Sequence, residues 1–327
     1  MFISATQSLF LAVRSRYCNK DVLTPFELGR SFTAVKRREF PNFRPVEISD
    51  AGLFEELLAR DQPVTSELTF ANIYLWRRVY EFEMCWIDDG IAVRGVDRDR
   101  RPFLLPPIGV SDPVAVADRM ASFERLSRVP QHLAERLETL GLRVTYDRDN
   151  SDYVYLADDL INLPGRKYHR KRNHLAKFKE EFKYEYRRVT PDLIDGCRRL
   201  QETWCDVRDC FVPENASLAD EHYAVNEALT LLEPLRLTAG AIIIEDKVAA
   251  FAIGGELNRR TFVVHFEKAN PNYPGIYQVI NREFAADAAA GFTFINREQD
   301  LGQEGLRRAK ESYFPDHLEN KYDVERG

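Results

Sequence analysis

The sequence predicts an α/β (α+β) protein of two domains, and three observations predict it. At 327 residues the chain exceeds an ordinary single core and matches two domains of roughly 100–200 residues each. Segments of helical and strand periodicity alternate along it, as in α/β and α+β folds. After residue 239 the order becomes hairpin, strand, helix, strand, helix, strand. A hydrophobic content of 44% is that of a globular chain and argues against disorder.

Residues 1–42 fit neither domain. Lys36-Arg37-Arg38 and the prolines at 41 and 45 mark a domain start near Phe43. We therefore read 1–42 as an N-terminal extension whose order is left open, 43–160 as the first domain and 161–327 as the second. The opening MFISATQSLFLAV is apolar, but no positive charge precedes it. Arg14 and Arg16 stand where a cleavage site belongs, which argues against a signal peptide. No stretch approaches the roughly 18–20 apolar residues of a spanning helix. The five cysteines (18, 85, 197, 205, 210) are odd in number and irregularly spaced. That pattern predicts reduced thiols in a cytoplasmic protein, not a disulfide framework.

Asp50 is a natural N-cap for a helix through Leu53, Leu57 and Leu58. Phe70, Ile73, Tyr74 and Arg77 define a second helix by spacings of three and four. Strands at 82–87 and 91–96 flank Asp88-Asp89-Gly90 and read as a hairpin. A strand follows at 103–106, then helices within 112–122 and 130–140, the latter closed by Gly141. Strands are expected near 142–146 and 153–156.

Pro164-Gly165 opens a basic helix over 166–182, assigned to the second domain. At 100° per residue, Tyr168, Leu175, Phe178 and Phe182 share one face, opposite Arg166, Arg170 and Lys177. Lys171 falls about 60° from Tyr168, inside the apolar arc. It must snorkel, pair or meet a ligand. A hairpin of 239–244 and 248–257 follows, then a strand at 261–267. A helix from Gly275 carries Ile276, Ile280, Phe284 and Ala288 and stops at Gly291. A strand at 292–295, a helix at 305–313 before Pro315, and a strand at 322–324 complete the order of a GNAT (general N-acetyltransferase) core.

The net charge of −6 conceals an asymmetry. Residues 165–188 hold ten Lys/Arg against three Glu, whereas 41–160 hold 14 Lys/Arg against 22 Asp/Glu. One basic element on an acidic protein excludes a general nucleic-acid coat. It suits a single anionic ligand or a short run of phosphates.

The segments FEKANPNYPGIYQVINREF (266–284), FINREQDLGQEGLRRAKESYFP (294–315) and KYDV (321–324) resemble a bacterial family of soluble proteins. That family shares the C-terminal catalytic domain of phosphatidylglycerol lysyltransferases. LTFANIYLWR (68–77) and KYHRKRNHLAKFK (167–179) extend the resemblance over about 43–325. It implies two tandem GNAT-like domains, a fold shared with the Fem-type peptidoglycan transferases that use aminoacyl-tRNA. The lysyltransferases also carry a multi-helix membrane domain with no counterpart in this sequence. A lipid acceptor is therefore not implied, while peripheral membrane contact stays open.

Acyl transfer needs an anion cradle for the donor, a polar strand end to hold the carbonyl, and a route for the acceptor's proton. Pro274-Gly275 can present helix N-terminal amides to a phosphate, with Tyr277 beside them; the alternative is a plain Pro/Gly helix start. The acetyl-CoA signature Gln/Arg-x-x-Gly-x-Gly/Ala is absent. Strand alternation places Phe262, Val264 and Phe266 on one face, with His265 and Glu267 on the other. Glu267, at the strand's C-terminal end, is the first choice to orient or deprotonate an amine. Its alternative is an ion pair with Lys268 or Arg297. His265 reads as a satisfied core histidine.

The polar run Asn296–Asp300 follows an apolar strand. Asn296 and Glu298 are expected beside Glu267, and Arg297 as a donor ligand. Lys310 and Tyr313, three apart, are expected to reach the same cleft; the alternative for Lys310 is a solvated surface position. In the basic helix, Lys171 and Arg172 are the best anion ligands, then His174, against a merely charged face. Cys205, Cys210 and His222 match no zinc spacing.

The resulting expectation is acyl or aminoacyl transfer to an amine or hydroxyl, without metal or redox cofactor. Aminoacyl-tRNA is the first donor and acyl-CoA the second. Two alternatives stand beside it: a non-catalytic binding protein for an anionic metabolite or RNA, and a divergent acyl-CoA N-acetyltransferase. The partner is then tRNA or a small anionic substrate, and the compartment the cytoplasm.

Overall fold

In the computed structural model residues 37–327 are described, and the expected N-terminal extension falls almost wholly outside them. Local chemistry sets the first elements. Asp50 precedes α1 (Ala51–Asp61) and is gripped by Arg44 through two bonds of 2.6 and 2.8 Å. Thr69 Oγ1 accepts from Asn72 N at 3.0 Å and caps α2 (Phe70–Trp76). After β1 (Arg44–Pro45), strands β2 (Glu83–Ile87) and β3 (Gly90–Val96) form the expected hairpin. Gly90 is obligatory, because a Cβ would collide with the carbonyl of Ile108. The first half continues as β4 (Pro102–Leu104), α3 (Pro113–Ala121), β5 (Leu126–Pro130), α4 (Gln131–Thr139) and β6 (Arg143–Tyr146).

The second half runs β7 (Asp152–Leu156), α5 (Ala157–Asn162), α6 (His169–Glu181), β8 (Glu185–Arg188), α7 (Pro191–Val207) and α8 (Ala216–Thr230). It continues β9 (Thr238–Ile244), β10 (Lys247–Asn258), β11 (Thr261–Ala269), α9 (Ile276–Ala288) and β12 (Phe294–Asn296). It ends with α10 (Glu304–Glu311), β13 (His317–Glu319) and β14 (Lys321–Glu325). The sequence reading did not foresee β5, β13, α5 or the elements between 183 and 238.

Among the described residues the strands make two sheets rather than one continuous sheet. Their orders are β1-β2-β3-β4-β5-β14-β6 and β13-β7-β12-β11-β10-β9-β8. Each pairs GNAT-like, and the architecture is that of two GNAT-like sheets. Pairing does not follow chain order. β7, which precedes residue 160, lies in the second sheet, and β14 returns from the C-terminal end to the first. α3 and α4 cover the outer face of the first sheet. The facing sides enclose Phe54, Ile73 and Tyr74 with Leu200, Val225, Phe251 and Phe266, all buried. α5, α6 and α9 cover the far face of the second sheet.

The expected alternation in β11 is broken by a bulge. Ile253 of β10 pairs with Phe266 and Gly254 with Val264, so His265 is the extra residue. Phe262 and Val264 pack on the α9 side, whereas Phe266 turns into the core between the sheets. Glu267 therefore faces α9, on the same side as Phe262 and Val264. The reversal of parity corrects the sequence reading.

The cysteines also depart from expectation. Cys205 and Cys210 form a disulfide across the C-terminal end of α7, with Cα atoms 5.1 Å apart. Asp209, at φ +50°, turns Cys210 back onto the helix. Cys85 and Cys197 are free, buried thiols. No described helix is long and apolar enough to cross a membrane.

The strand exchange is held by buried charge. Lys321 of β14 donates to Asp152 of β7 at 2.6 Å and pairs with Glu67 at 2.6 Å, and both Lys321 and Asp152 are fully buried. Burial opposes the lysine's charge, but Asp152 and Glu67 outweigh it and raise its pKa. Removing one partner strands the others in a low-dielectric site. Lys321→Ala is expected to lower stability by about 3–5 kcal/mol, measured by urea unfolding; a loss near that of a surface substitution would contradict this.

Candidate functional site

β11 and β12 run parallel for three pairs, Thr261↔Phe294, Phe262↔Ile295 and Val263↔Asn296, and then diverge. Two pairs of side chains bridge the opening. Glu267 meets Arg297, and His265 meets Glu298. The first faces α9, since Asn281 of that helix donates to Glu267 Oε1 at 3.2 Å. The second faces α2, since Asn72 donates to Glu298 Oε1 at 3.2 Å.

Arg297 is the centre of the α9 side. Its Nη2 donates to Glu267 Oε2, and its guanidinium carbon lies 5.9 Å from the Tyr155 ring and 5.0 Å from the Tyr313 ring. Burial opposes its charge, and Glu267 with the two tyrosines holds the pKa above the usual range. Its Nε and Nη1 are buried without a hydrogen-bond partner among the described residues. Of the alternatives foreseen for Glu267, the pair with Arg297 is the one formed. Lys268 instead pairs with Glu221 at 2.6 Å and lies 3.6 Å over the Trp204 ring.

Two lysines adjoin this corner. Lys171 on α6 lies 3.7 Å over the Tyr313 ring and donates to Ser312 Oγ at 2.7 Å. Its place inside the apolar arc is explained by that ring. Lys310 is buried, and its Nζ donates to the carbonyls of Arg297 and, at 3.3 Å, Glu298. It is not a solvated lysine. It supplies a donor to the Arg297 carbonyl and shares the Glu298 carbonyl with Tyr153 N of β7. Burial, and then the Arg297 charge, push both lysines down to about 8. Burial pushes Tyr313 up to about 12 despite Arg297.

Other expected residues lie elsewhere. Asn296 is fully buried; it donates to Asp152 at 2.9 Å and accepts from Glu298 N at 2.7 Å. It belongs to the junction between the sheets and does not touch Glu267, because it is the last paired residue before the strands part. Glu298, at φ +57°, is turned to the α2 side and away from Glu267. Arg172 donates to the carbonyls of Leu163 and, at 2.7 Å, Gly165, fastening the turn before α6. His174 is exposed.

Gly275 begins α9 at φ +93°, and a Cβ there would lie 3.4 Å from the His174 carbonyl. The basic helix thus packs against the start of α9. Ile276 N is taken by the Tyr273 carbonyl at 3.1 Å, which leaves less of that terminus for an anion. Tyr277 is partly exposed and accepts from Trp204 Nε1 at 3.2 Å. Sequence reasoning missed Tyr155, Asn281 and Asn72 as neighbours of the opening. The last two lie inside the quoted segments 266–284 and 68–77, which was the available signal. Among the described residues no cluster of three or more His, Cys, Asp or Glu could hold a metal ion.

The family model for the C-terminal region of phosphatidylglycerol lysyltransferase matches residues 59–325, and the chain belongs to that family. A conserved Bacteroides thetaiotaomicron protein of unknown function is 33% identical, with TM-score 0.80 over 86% of this chain and 98% of that one. L-PGS from Bacillus licheniformis is 12% identical, with TM-score 0.59 over 89% of this chain and 94% of that one. FemX is 9% identical, with TM-score 0.52 over 86% and 96%. The latter two share the fold. The chain spans 56% of the length of an uncharacterised Mycoplasmoides gallisepticum protein, matching over 178 residues, 54% of its own length, at 22% identity.

Lys310 gives the corner a stability signature. Its folded pKa of about 8 lies below the ordinary lysine value. Between about 8 and 10.4 the unfolded chain binds the extra proton, so stability rises with pH in that window. The unfolding free energy of the wild type minus that of Lys310→Met should increase from pH 8 to 10, by denaturant titration. A flat or falling difference would contradict a buried, depressed lysine.

Proposed function

We propose that this chain transfers an acyl or aminoacyl group to an amine or hydroxyl, with the donor carbonyl seated against Arg297. The observation that carries the reading is the buried guanidinium whose Nε and Nη1 lack partners. A buried donor left unpaired costs about 1–3 kcal/mol, and native proteins leave few. A ligand oxygen would complete it. In a transfer reaction those N–H groups would stabilise the oxyanion that develops on the carbonyl. Glu267 holds Arg297 in place, and Asn281 holds Glu267.

Aminoacyl-tRNA is the favoured donor. Membership of the lysyltransferase family supports it, as does the exposed row Arg166, Arg170 and Lys177 on the basic element. Without the acetyl-CoA signature, acyl-CoA ranks second. Aminoacyl-tRNA is made in the cytoplasm, where we accordingly place the reaction. Each sheet with its helices would be one GNAT-like domain, the exchanged strands β7 and β14 tying the two together. The binding-only alternative uses the same Arg297 contact and differs only in turnover.

The test is release of labelled amino acid from a total charged tRNA pool, with a protein-free cell extract as the source of acceptor. Arg297→Lys should lower the rate about 10²-fold with folding intact. The pair Arg166→Glu and Arg170→Glu should weaken tRNA binding and flatten its salt dependence. Tight binding by the wild type without release would favour the binding protein. CoA retained through purification would favour the acyl-CoA reading.

A further inference from the structure

Transfer must also dispose of the acceptor's proton, and Glu267 is poorly placed for that. Both of its oxygens are engaged, by Arg297 and Asn281. We infer that His265 takes the proton, with Glu298 and Asn72 as its positioning residues. This rests on the transfer reading above.

His265 is the bulge residue of β11, two positions beyond the last paired residue, Val263. Glu298 lies two positions beyond Asn296 on the other arm. Their contact, Nδ1 to Oε1 at 2.8 Å, spans the opening. The histidine side chain is only 3% exposed, and its Nε2 has no partner among the described residues. A carboxylate only accepts, so Nδ1 carries the hydrogen, and in the neutral ring Nε2 then holds a lone pair. A histidine oriented by a carboxylate, with a free acceptor nitrogen, is the arrangement that general-base catalysis uses.

Glu298 is held in the left-handed region, costly for a residue with a side chain, by contacts on every side. Its N donates to Asn296 Oδ1 at 2.7 Å, and its carbonyl accepts from Tyr153 N at 3.1 Å and Lys310 Nζ at 3.3 Å. Its carboxylate accepts from Asn72 at 3.2 Å. Asn72 sits on α2, among the helices that pack between the two sheets. The first half of the chain thereby orients a histidine of the second.

The two bridges lie on opposite faces of the sheet, and two residues along a strand span about 6.6 Å. Acyl carbonyl on the α9 side and acceptor on the α2 side can thus meet through the opening. The acceptor nitrogen or oxygen attacks the carbonyl carbon of the donor ester, and the new C–N or C–O bond forms. Its proton passes to His265 Nε2. When the tetrahedral intermediate collapses, the ester C–O bond breaks and the imidazolium returns the proton to the leaving ribose oxygen. Charge and atoms balance without a further reactant.

His265→Ala should lower kcat in the release assay by about 10²–10⁴-fold with KM little changed. Added imidazole should restore roughly tenfold of that loss, which a structural role would not allow. Asn72→Ala should lower kcat with KM unchanged. A substrate-free measurement accompanies these: ¹⁵N NMR of His265 should show the neutral Nδ1–H tautomer, lost in Glu298→Gln. If the wild type releases label and His265→Ala keeps its rate per folded molecule, the histidine assignment falls and the transfer reading stands. The Nε2–H tautomer would also overturn it. Absence of release by the wild type would overturn both.

Discussion

The structure depends on one buried carboxylate. Asp152 accepts from Ser66 N at 2.8 Å, Ser66 Oγ at 2.9 Å, Asn296 Nδ2 at 2.9 Å and Lys321 Nζ at 2.6 Å. A single side chain therefore joins the loop before α2, the strand β7, the end of β12 and the exchanged strand β14. Buried charge is tolerated only when its lone pairs and protons are satisfied. Here the satisfaction comes from three other stretches of chain. Moving any of them apart exposes an unpaired group, so the relative placement of the two sheets is tightly specified.

That constraint propagates to the opening between β11 and β12. Asn296, pinned to Asp152, is both the last residue to pair with β11 and the residue that accepts from Glu298 N. Where the strands part is thus set by the junction. Beyond it, Arg297 and Glu298 fall on opposite faces, and each finds a partner on β11. Lys310 supports both by donating to their carbonyls. Lys171 and Arg297 flank the Tyr313 ring, and Lys310 reaches the Arg297 carbonyl, with Glu267 as the nearby counter-charge, which leaves an electropositive corner. Such a corner favours an oxygen carrying negative charge, whether phosphate, carboxylate or developing oxyanion.

Much of this was legible in the sequence. Periodicity found the hairpin at 83–96 and, β13 apart, the order of elements after 239, because turn residues, glycine or proline bound those apolar segments. The odd position of Lys171 in an apolar arc pointed to a specific contact, and the Tyr313 ring is that contact. Polar residues after an apolar strand marked the opening. What the sequence concealed has physical causes. A one-residue bulge at His265 inverts the faces of β11, and strict alternation then misplaces Phe266 and Glu267. Strand exchange is a long-range choice made by buried ion pairs, and neither Asp152 nor Lys321 looks unusual locally. Arg172 in a basic run looks like an anion ligand until the carbonyls of Leu163 and Gly165 are seen to occupy it. The Cys205–Cys210 disulfide follows from a tight turn that cysteine spacing alone does not reveal.

The central claim is that a donor carbonyl completes Arg297. The most direct measurement is a crystal structure with a 3′-aminoacylamino-3′-deoxyadenosine, a non-hydrolysable form of a charged tRNA end. The account predicts its amide carbonyl oxygen at about 2.7–3.2 Å from Arg297 Nε or Nη1, with the Glu267 pair intact. An adenosine bound elsewhere, with those two nitrogens still unpartnered, would contradict it.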